Sequence, residues 1–244
     1  ALAWRRYHGG DPMSRPRPVI AIDGPAGVGK STTSREIARR LGYTLVDTGA
    51  LYRGVALAAR ERGIAWDDEG AVAALCPQLQ LGFVSQDDGT PRLLLDGVDR
   101  GDEIRTPDMS SGASQVSAYP AVRRALLGIQ RNLGAEGGVV LEGRDIGTVV
   151  FPDAEVKLFL TASAEERARR RVKDLESRGI EVDHEELLAQ ILARDEADST
   201  RAIAPLRPAE DAVILDSTSL DMEAVIQHVL ELVESCTPPA IDTP

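Results

Sequence analysis

The sequence predicts an α/β protein: a five-stranded parallel sheet flanked by helices, with a small antiparallel β/helical insert. Five short apolar runs alternate with helical patterns, the first run leads into a glycine-rich loop, and a turn-rich stretch near residues 87–91 interrupts the alternation. Strands that alternate with helices favour a parallel sheet covered on both faces. The length of 244 residues fits one domain carrying an insertion better than two equal domains, and no internal repeat is present.

Composition limits the classes of function. With 244 residues, 43% of them hydrophobic, the chain can bury a substantial core. A net charge of -11, from 39 acidic and 28 basic residues, argues against a polymeric nucleic acid as partner. No run approaches the roughly 20 apolar residues that span a membrane, and Cys76 and Cys236 form neither a disulfide framework nor a zinc spacing. A cytoplasmic monomer with no membrane partner is expected.

The first half of the chain begins with a strand, a loop and a helix. The β-branched run Val19–Ile22 is a predicted strand, and Ser31–Leu41 follows with apolar residues at helical spacing. A second strand is predicted at Thr44–Val46 and a second helix at Leu51–Arg62, which a glycine closes.

The middle of the chain departs from this rhythm and then resumes it. Apolar runs at Leu79–Val84 and Leu93–Leu95 flank the turn-rich stretch and predict a small antiparallel insert. A helix is predicted to start at Pro120, because proline suits the first helical turn. Two glycines then precede the predicted strand Val139–Leu141.

The last part of the chain supplies two more strands and three helices. Val156–Leu160 and Val213–Leu215 are predicted to be buried strands. Charged helices are predicted between them at Glu165–Ser177 and His184–Ser199, and Leu220–Val233 is predicted to close the chain as an amphipathic helix.

Domain boundaries follow from these patterns. Residues 1–17 are expected to be an N-terminal extension, because residues 1–12 lack an apolar stretch and Met13 is a candidate start. Residues 18–234 form the predicted domain, which includes the insert at about 66–119. The Pro-rich residues 235–244 are expected to be a flexible tail.

A phosphate-binding loop is the most specific motif. The segment from Gly24 to Ser31 satisfies GxxxxGK[ST] between a predicted strand and a predicted helix, the context that this motif requires. Lys30 is expected to reach the β and γ phosphates of ATP, and the Ser31 hydroxyl to bind Mg²⁺ that enters as Mg-ATP. The predicted ATP contacts are Gly24, Pro25, Ala26, Gly27, Val28, Gly29, Lys30, Ser31 and Thr32.

Two other classes of P-loop protein are disfavoured. Guanine-reading proteins use an Asn-Lys-x-Asp loop, but Leu133 follows the single asparagine, Asn132. Motor ATPases usually carry an apolar strand that ends in Asp-Glu, whereas Val139–Glu142 runs into Gly143-Arg144-Asp145. A strand end that binds a substrate is the better interpretation.

Taken together, four segments resemble bacterial cytidylate kinases: Asp23–Ser31, Asp47–Arg53, Glu142–Thr148 and Arg194–Arg201. The resemblance runs from about Val19 to Val233. It implies the nucleoside-monophosphate-kinase fold, with the insert as the substrate-binding region and a short helical lid over ATP at about residues 163–183. It also implies that Arg170, in this lid, contacts ATP.

The acceptor of such a kinase needs a cationic site. A nucleoside monophosphate carries about two negative charges near neutral pH, and arginine presents a planar fork that suits phosphate oxygens. Arg53, Arg144 and Arg201 are the candidates, and Thr48 can add a hydroxyl donor. Arg144 stands at the carboxyl end of a predicted strand, where open α/β sheets bind ligands. Lys30, Arg144 and Arg201 are the predicted catalytic residues.

Cytosine and uracil differ in the group at position 4 of the ring. Cytosine presents an amino donor there, for which a carboxylate is the natural partner. Asp145 is therefore the predicted base-reading residue, and the alternative is an ion pair that only orients Arg144 or a neighbour. The resemblance adds two contacts to the base and two to the pentose: Ser114, Arg123, Arg194 and Asp198.

The expected activity is transfer of the γ-phosphate of ATP to CMP or dCMP, giving ADP and CDP or dCDP, within pyrimidine nucleotide metabolism. No general base is needed, because the acceptor is already an anionic phosphate oxygen, so Asp47 is assigned to structure or to the water shell of Mg²⁺. Two alternatives stay open. One is a related kinase for UMP, AMP or a small alcohol such as shikimate, and the other is a regulator that holds ATP without turnover.

Overall fold

The structure is a computed structural model that describes residues 15–86, 89–177, 179 and 181–236. In chain order its strands and helices are β1 (Val19–Asp23), α1 (Lys30–Leu41), β2 (Thr44–Asp47), α2 (Thr48–Glu61), α3 (Glu69–Leu75), β3 (Leu81–Ser85), β4 (Pro91–Leu95), β5 (Val98–Asp99), α4 (Pro107–Val116), α5 (Pro120–Gly134), β6 (Val139–Gly143), β7 (Val156–Thr161), α6 (Ala164–Glu176), α7 (His184–Thr200), β8 (Val213–Asp216) and α8 (Met222–Cys236). A π-helical turn, Ile146–Val150, follows β6.

Five strands form a parallel sheet in the order β2-β6-β1-β7-β8, which confirms the predicted five-stranded sheet. One detail of the prediction is wrong, because Val213–Leu215 is not a buried strand. This segment lies in β8 at the edge of the sheet, where Val213 is 37% and Ile214 60% exposed. Sequence patterns alone do not distinguish an edge strand from a central one of similar composition.

The central strand β1 is buried along its whole length. Ile20 and Ile22 point to one face of the sheet, where α1 and α8 pack, while Val19 and Ala21 point to the other face, near Phe151. Side chains alternate between the faces of a strand, so a strand covered on both faces is apolar throughout.

The predicted antiparallel insert is present as a three-stranded sheet in the order β3-β4-β5. It packs against α2, and both share one hydrophobic core. Gly54 of α2 permits this close packing, because an added Cβ would lie 2.7 Å from the Leu93 side chain. The insert is therefore continuous with the domain that carries the P-loop.

Helix α2 begins at Thr48, three residues before the predicted start. The Asp47 carboxylate caps the helix by accepting the Ala50 N–H at 3.1 Å, a stabilising contact for free backbone donors. The cap places Thr48 and Arg53 on the first turns of α2, directly after the carboxyl end of β2.

Both predicted terminal segments lie partly outside the described residues. Of the predicted extension, Arg15 contacts the domain through Asp153 at 2.6 Å and Glu155 at 3.0 Å, and residues 1–14 lie outside. Of the predicted tail, Ser235 and Cys236 belong to α8, and residues 237–244 lie outside. Among the described helices, none has the length and apolar character needed to cross a bilayer.

Candidate active site

The loop between β1 and α1 has the backbone of a phosphate cradle. Gly24, Gly27 and Gly29 all adopt positive φ, at 149°, 75° and 103°. A Cβ at Gly24 would lie 2.1 Å from the Leu160 carbonyl oxygen, so only glycine fits there. Because α1 starts directly after Gly29, its N-terminal N–H groups face the same space, which favours an anion.

Lys30 is buried at the base of this loop. Its Nζ donates to the carbonyl oxygens of Gly24 at 2.8 Å and Pro25 at 2.7 Å. Burial lowers the pKa of Lys30 well below its usual range, and repulsion from the Arg144 guanidinium lowers it further. Burial and repulsion thus destabilise the charged form of Lys30, and anionic phosphate oxygens that approach the ammonium group would stabilise it.

Glu142, which we did not predict as a site residue, lies beside Ser31. At the end of β6, its Oε2 accepts a hydrogen bond from the Ser31 hydroxyl at 2.8 Å. Burial raises the pKa of Glu142 to about 7, and the negative charge of the nearby Asp47 carboxylate contributes to this shift. The sequence did contain a signal, an apolar strand that ends in a carboxylate. That signal was used only to disfavour a motor ATPase.

Ser31 and Glu142 fit a magnesium ion that arrives with a nucleotide. Across the described part of the chain, no group of three or more His, Cys, Asp or Glu residues is arranged to hold a metal alone. The Ser31 hydroxyl and Glu142 carboxylate oxygens lie 2.8 Å apart at the phosphate loop. In proteins, Mg²⁺ is commonly held by one or two such oxygens, and substrate phosphates and waters complete its coordination shell.

The raised pKa of buried Glu142 predicts that the folding stability of the protein falls as pH rises. Burial raises the pKa of Glu142 from 4.5 to about 7, so the folded chain holds this proton more tightly than the unfolded chain. The resulting stabilisation is complete below pH 4.5 and is lost as pH rises through about 7. Glu142→Gln should flatten this fall. Thermal unfolding across this range measures it, and equal slopes for both proteins would contradict the assignment.

Arginines gather opposite the phosphate loop. Lys30 is repelled by Arg144 and Arg194, and Arg194 in turn by Arg144 and Arg53. Burial lowers the pKa of Arg194 to about 10, and this repulsion contributes to the shift. Within the described residues, three of the predicted arginines have a buried donor nitrogen without a hydrogen-bond partner: Arg53 Nε, Arg194 Nε and Arg201 Nη2. Such donors are costly to bury and favour an anionic ligand.

Two buried carboxylates organise these arginines. Asp145 accepts a hydrogen bond from Arg123, and its Oδ1 lies 3.6 Å from Arg201 Nη2. Asp198 accepts from Arg144 Nε at 2.9 Å and lies 3.9 Å from Arg201 Nη1. The alternative role for Asp145 was an ion pair that only orients Arg144 or a neighbour. Arg144 is the wrong partner, because it pairs with Asp198, whereas Asp145 pairs with Arg123 and Arg201. Arg201 lies between the two carboxylates.

The Arg123–Asp145 pair borders a cavity of about 230 Å³ that Tyr52, Gln130 and Ile203 also line. Tyr52, a second residue that we did not predict, lies with its ring centroid 5.6 Å from the Arg123 guanidinium carbon. Its signal was its place in the Asp47–Arg53 segment. About half of the cavity lining is aliphatic, and the rest is aromatic, cationic, amide and carboxylate, a mixture that suits a flat base with polar edges.

Thr48 and Asp47 make structural contacts, and Ser114 lies close in sequence to a hydrogen-bond partner of Arg123. Thr48 donates to the Glu142 carbonyl at 2.7 Å, which joins α2 to β6. Asp47, besides capping α2, accepts from Arg53 at 2.5 Å. Ser114 lies half-buried on α4, three residues before Ser117, whose carbonyl accepts from Arg123 at 3.2 Å.

Helix α6 docks onto the phosphate loop. Arg167 donates to the Ala26 carbonyl at 3.0 Å and pairs with Asp195 of α7. Arg170 donates to the carbonyl of Val28 at 3.2 Å and that of Ser217 at 2.6 Å, so it borders the loop. Of the other predicted ATP contacts, Thr32 is exposed on the first turn of α1.

Comparison with known proteins shows which family this chain resembles over most of its length. The family model described as cytidylate kinase matches residues 20–235. The cytidylate kinase of Syntrophotalea carbinolica is 54% identical over 215 residues, which cover 88% of this chain and 91% of the relative. That of Pseudomonas paraeruginosa is 51% identical over 219 residues, which cover 89% and 96%.

Among solved structures, an uncharacterized protein from Eubacterium ventriosum superposes with a TM-score of 0.50 at 12% sequence identity, covering 90% of this chain and 99% of that one. At this identity the likeness concerns the fold alone. By contrast, the family model matches residues 20–235, and the two curated relatives are 54% and 51% identical to this chain over 215 and 219 residues. The chain belongs to the cytidylate kinase family.

Proposed function

We propose that this chain transfers the γ-phosphate of ATP to CMP, and to dCMP, giving ADP and CDP or dCDP. The observation that carries the proposal is a phosphate loop facing buried arginine donors that lack hydrogen-bond partners within the described residues: Arg53 Nε, Arg194 Nε and Arg201 Nη2. A monophosphate with about two negative charges supplies the acceptors that these donors need.

ATP occupies the loop at residues 24–31 in this proposal, and Arg170 borders it. Lys30 leaves the carbonyls of Gly24 and Pro25 to contact the β and γ phosphates. Ser31 and Glu142 hold the magnesium ion of Mg-ATP. When bound, Mg²⁺ would neutralise charge that develops on the phosphate during transfer.

CMP lies opposite ATP, with its phosphate held by Arg53, Arg144 and Arg201. These cations offset the repulsion between the anionic acceptor and the γ-phosphate, and they align the two for in-line attack. The acceptor oxygen carries no proton that must be removed, so no general base is assigned. Asp47 acts by capping α2 and orienting Arg53.

The cytosine lies by Asp145, Arg123 and Ser114, with its N4 amino group donating to the Asp145 carboxylate. Arg194 and Asp198 hold the pentose. UMP is the weaker acceptor in this proposal, because its O4 faces a carboxylate with which it cannot form a hydrogen bond. A regulator that only holds ATP is not favoured, since it has no need of a second cationic site.

An acceptor screen tests the proposal. The protein is supplied with Mg-ATP and, separately, CMP, dCMP, UMP, AMP or shikimate, while ADP release is followed by a coupled assay. CMP and dCMP are expected to give the highest kcat/KM. Higher values for AMP or shikimate would reject the acceptor, and no turnover with any of them would reject the kinase.

We also propose a cytoplasmic location, supported by the free thiols of Cys76 and Cys236. The monomeric state stays a prediction.

A further inference from the structure

Asp23 lies where the two halves of the site meet. It is the last residue of β1, only 5% exposed, and the next residue, Gly24, opens the phosphate loop. Its Oδ1 accepts the Ile146 N–H and its Oδ2 the Gly147 N–H, both at 2.8 Å. These two amides begin the π-helical turn that follows Arg144 and Asp145, so one carboxylate joins the phosphate loop to the segment opposite it.

The contact requires a carboxylate and a close approach. Only a carboxylate offers two acceptor oxygens to the N–H groups of consecutive residues, since an amide side chain would turn a donor toward one of them. An added Cβ at Gly147 would lie 3.5 Å from Asp23 Oδ2, an ordinary van der Waals contact, so the contact uses the backbone N–H of this residue and not its lack of a side chain. The β1–β6 ladder ends at this place, with Asp23 paired to Gly143.

The local electrostatics do not favour a negative charge here. Burial raises the pKa of Asp23 to about 6, the nearby Asp145 carboxylate raises it as well, and the two backbone N–H groups and Lys30 lower it. A buried acid that serves packing alone is replaceable by an apolar residue of similar size. The two backbone hydrogen bonds that the Asp23 carboxylate accepts offset this cost and define its geometric role.

We propose that Asp23 is a positioning residue that holds the Arg144–Asp145 segment in register with the phosphate loop and thereby sets the affinity for the acceptor nucleotide. It acts through the backbone of Ile146 and Gly147 and does not contact either substrate. The inference rests on the proposed function, in that CMP is the acceptor that Arg144 and Asp145 bind.

Asp23→Asn tests the inference, since it keeps the volume of the side chain and removes one of the two acceptors. The dissociation constants of CMP and ATP are measured separately by calorimetry. The constant for CMP is expected to rise roughly tenfold, as loss of one hydrogen bond to a charged group implies, while the constant for ATP changes less than about twofold. Equal changes for both ligands, or no change in a folded variant, would overturn the inference.

Glu155→Gln is the control, because the Glu155 carboxylate, which also pairs with Arg15, accepts a backbone N–H at the other end of β1. Its Oε2 accepts the Val19 N–H at 2.8 Å. This variant should alter the melting temperature without raising the dissociation constant of CMP. A rise equal to that of Asp23→Asn would show that any weakening of β1 loosens the site, and would overturn the specific role.

A measurement on the wild-type protein keeps the inference testable if Asp23→Asn does not fold. The amides of Ile146 and Gly147 should exchange with deuterium slowly in the unliganded protein, because Asp23 holds both. Exchange at the rate of an exposed amide would overturn the inference whatever the enzymatic activity. Protection of these amides in a protein that does not bind CMP would instead count against the proposed function and leave the contact itself established.

Discussion

Lys30→Met is expected to lower kcat by several powers of ten while leaving the fold intact. The lysine is 7% exposed and sits among carbonyl oxygens at the foot of the phosphate loop. In the proposed reaction it stabilises charge that develops on the transferring phosphate, and loss of one such fixed donor costs roughly 10²- to 10³-fold or more. Steady-state kinetics at saturating ATP and CMP measure the effect, and circular dichroism checks the fold.

Lys157→Met is the control for that prediction. Lys157 is 8% exposed, and its Nζ donates to the Pro152 carbonyl at 2.5 Å and to Asp211 at 2.7 Å, away from the phosphate loop. Methionine keeps the aliphatic stem that lies near Gly147. The control should lower the melting temperature and leave kcat nearly unchanged. Near-normal turnover in a folded Lys30→Met protein would reject the assigned role of the phosphate loop.

Asp145→Asn is expected to reduce the preference for CMP over UMP. The variant loses the carboxylate that accepts the N4 amino group and gains an amide that can donate to the uracil O4. A hydrogen bond to a charged group contributes about 1.5 to 3 kcal/mol, so the CMP-to-UMP ratio of kcat/KM should fall by roughly 10- to 150-fold. Both kcat/KM values are measured in the wild type and the variant.

Asp198→Asn provides a matched comparison. Asp198 and Asp145 are each 5% exposed, and each pairs with two arginines, one of which is Arg201 in both cases. Since the pentose and phosphate are common to CMP and UMP, Asp198→Asn should reduce kcat/KM for both by the same factor. An unchanged CMP-to-UMP ratio in Asp145→Asn, even with a large loss of activity, would mean that Asp145 only orients Arg123 and Arg201.

Local patterns were enough to predict much of the fold. The five strands follow from short apolar runs, and the phosphate loop follows from a motif whose glycines must adopt positive φ. The antiparallel insert follows from two apolar runs around a turn. These features depend on neighbours in sequence, so the sequence carries them directly.

Features that depend on distant partners could not be predicted in the same way. The exposure of Val213 and Ile214 follows from the position of β8 at the sheet edge, which no local pattern records. Likewise, Arg144 pairs with Asp198 rather than with its neighbour Asp145, because the fold brings the residue after β6 close to this position of α7. Ion-pair partners are chosen by tertiary geometry.

The same reason explains the residues of the site that were missed. Glu142 lies 111 positions from Ser31, and its contact exists only because β6 lies beside β1 in the sheet. The resemblance to cytidylate kinases supplied four of the nine predicted acceptor residues, Ser114, Arg123, Arg194 and Asp198, but it did not indicate which carboxylate holds which arginine. Asp23 stood at the border of a known motif, and only the structure joins it to Ile146 and Gly147.

Transfer of a labelled phosphate tests the central claim most directly. The protein is incubated with Mg-ATP labelled at the γ-phosphorus and with CMP, and the products are separated. The proposed reaction predicts that the label appears in CDP in an amount equal to the ADP formed, and that omission of CMP abolishes ADP formation. Label that remains in ATP, or that appears only as inorganic phosphate, would contradict the assignment of this chain as a kinase for CMP.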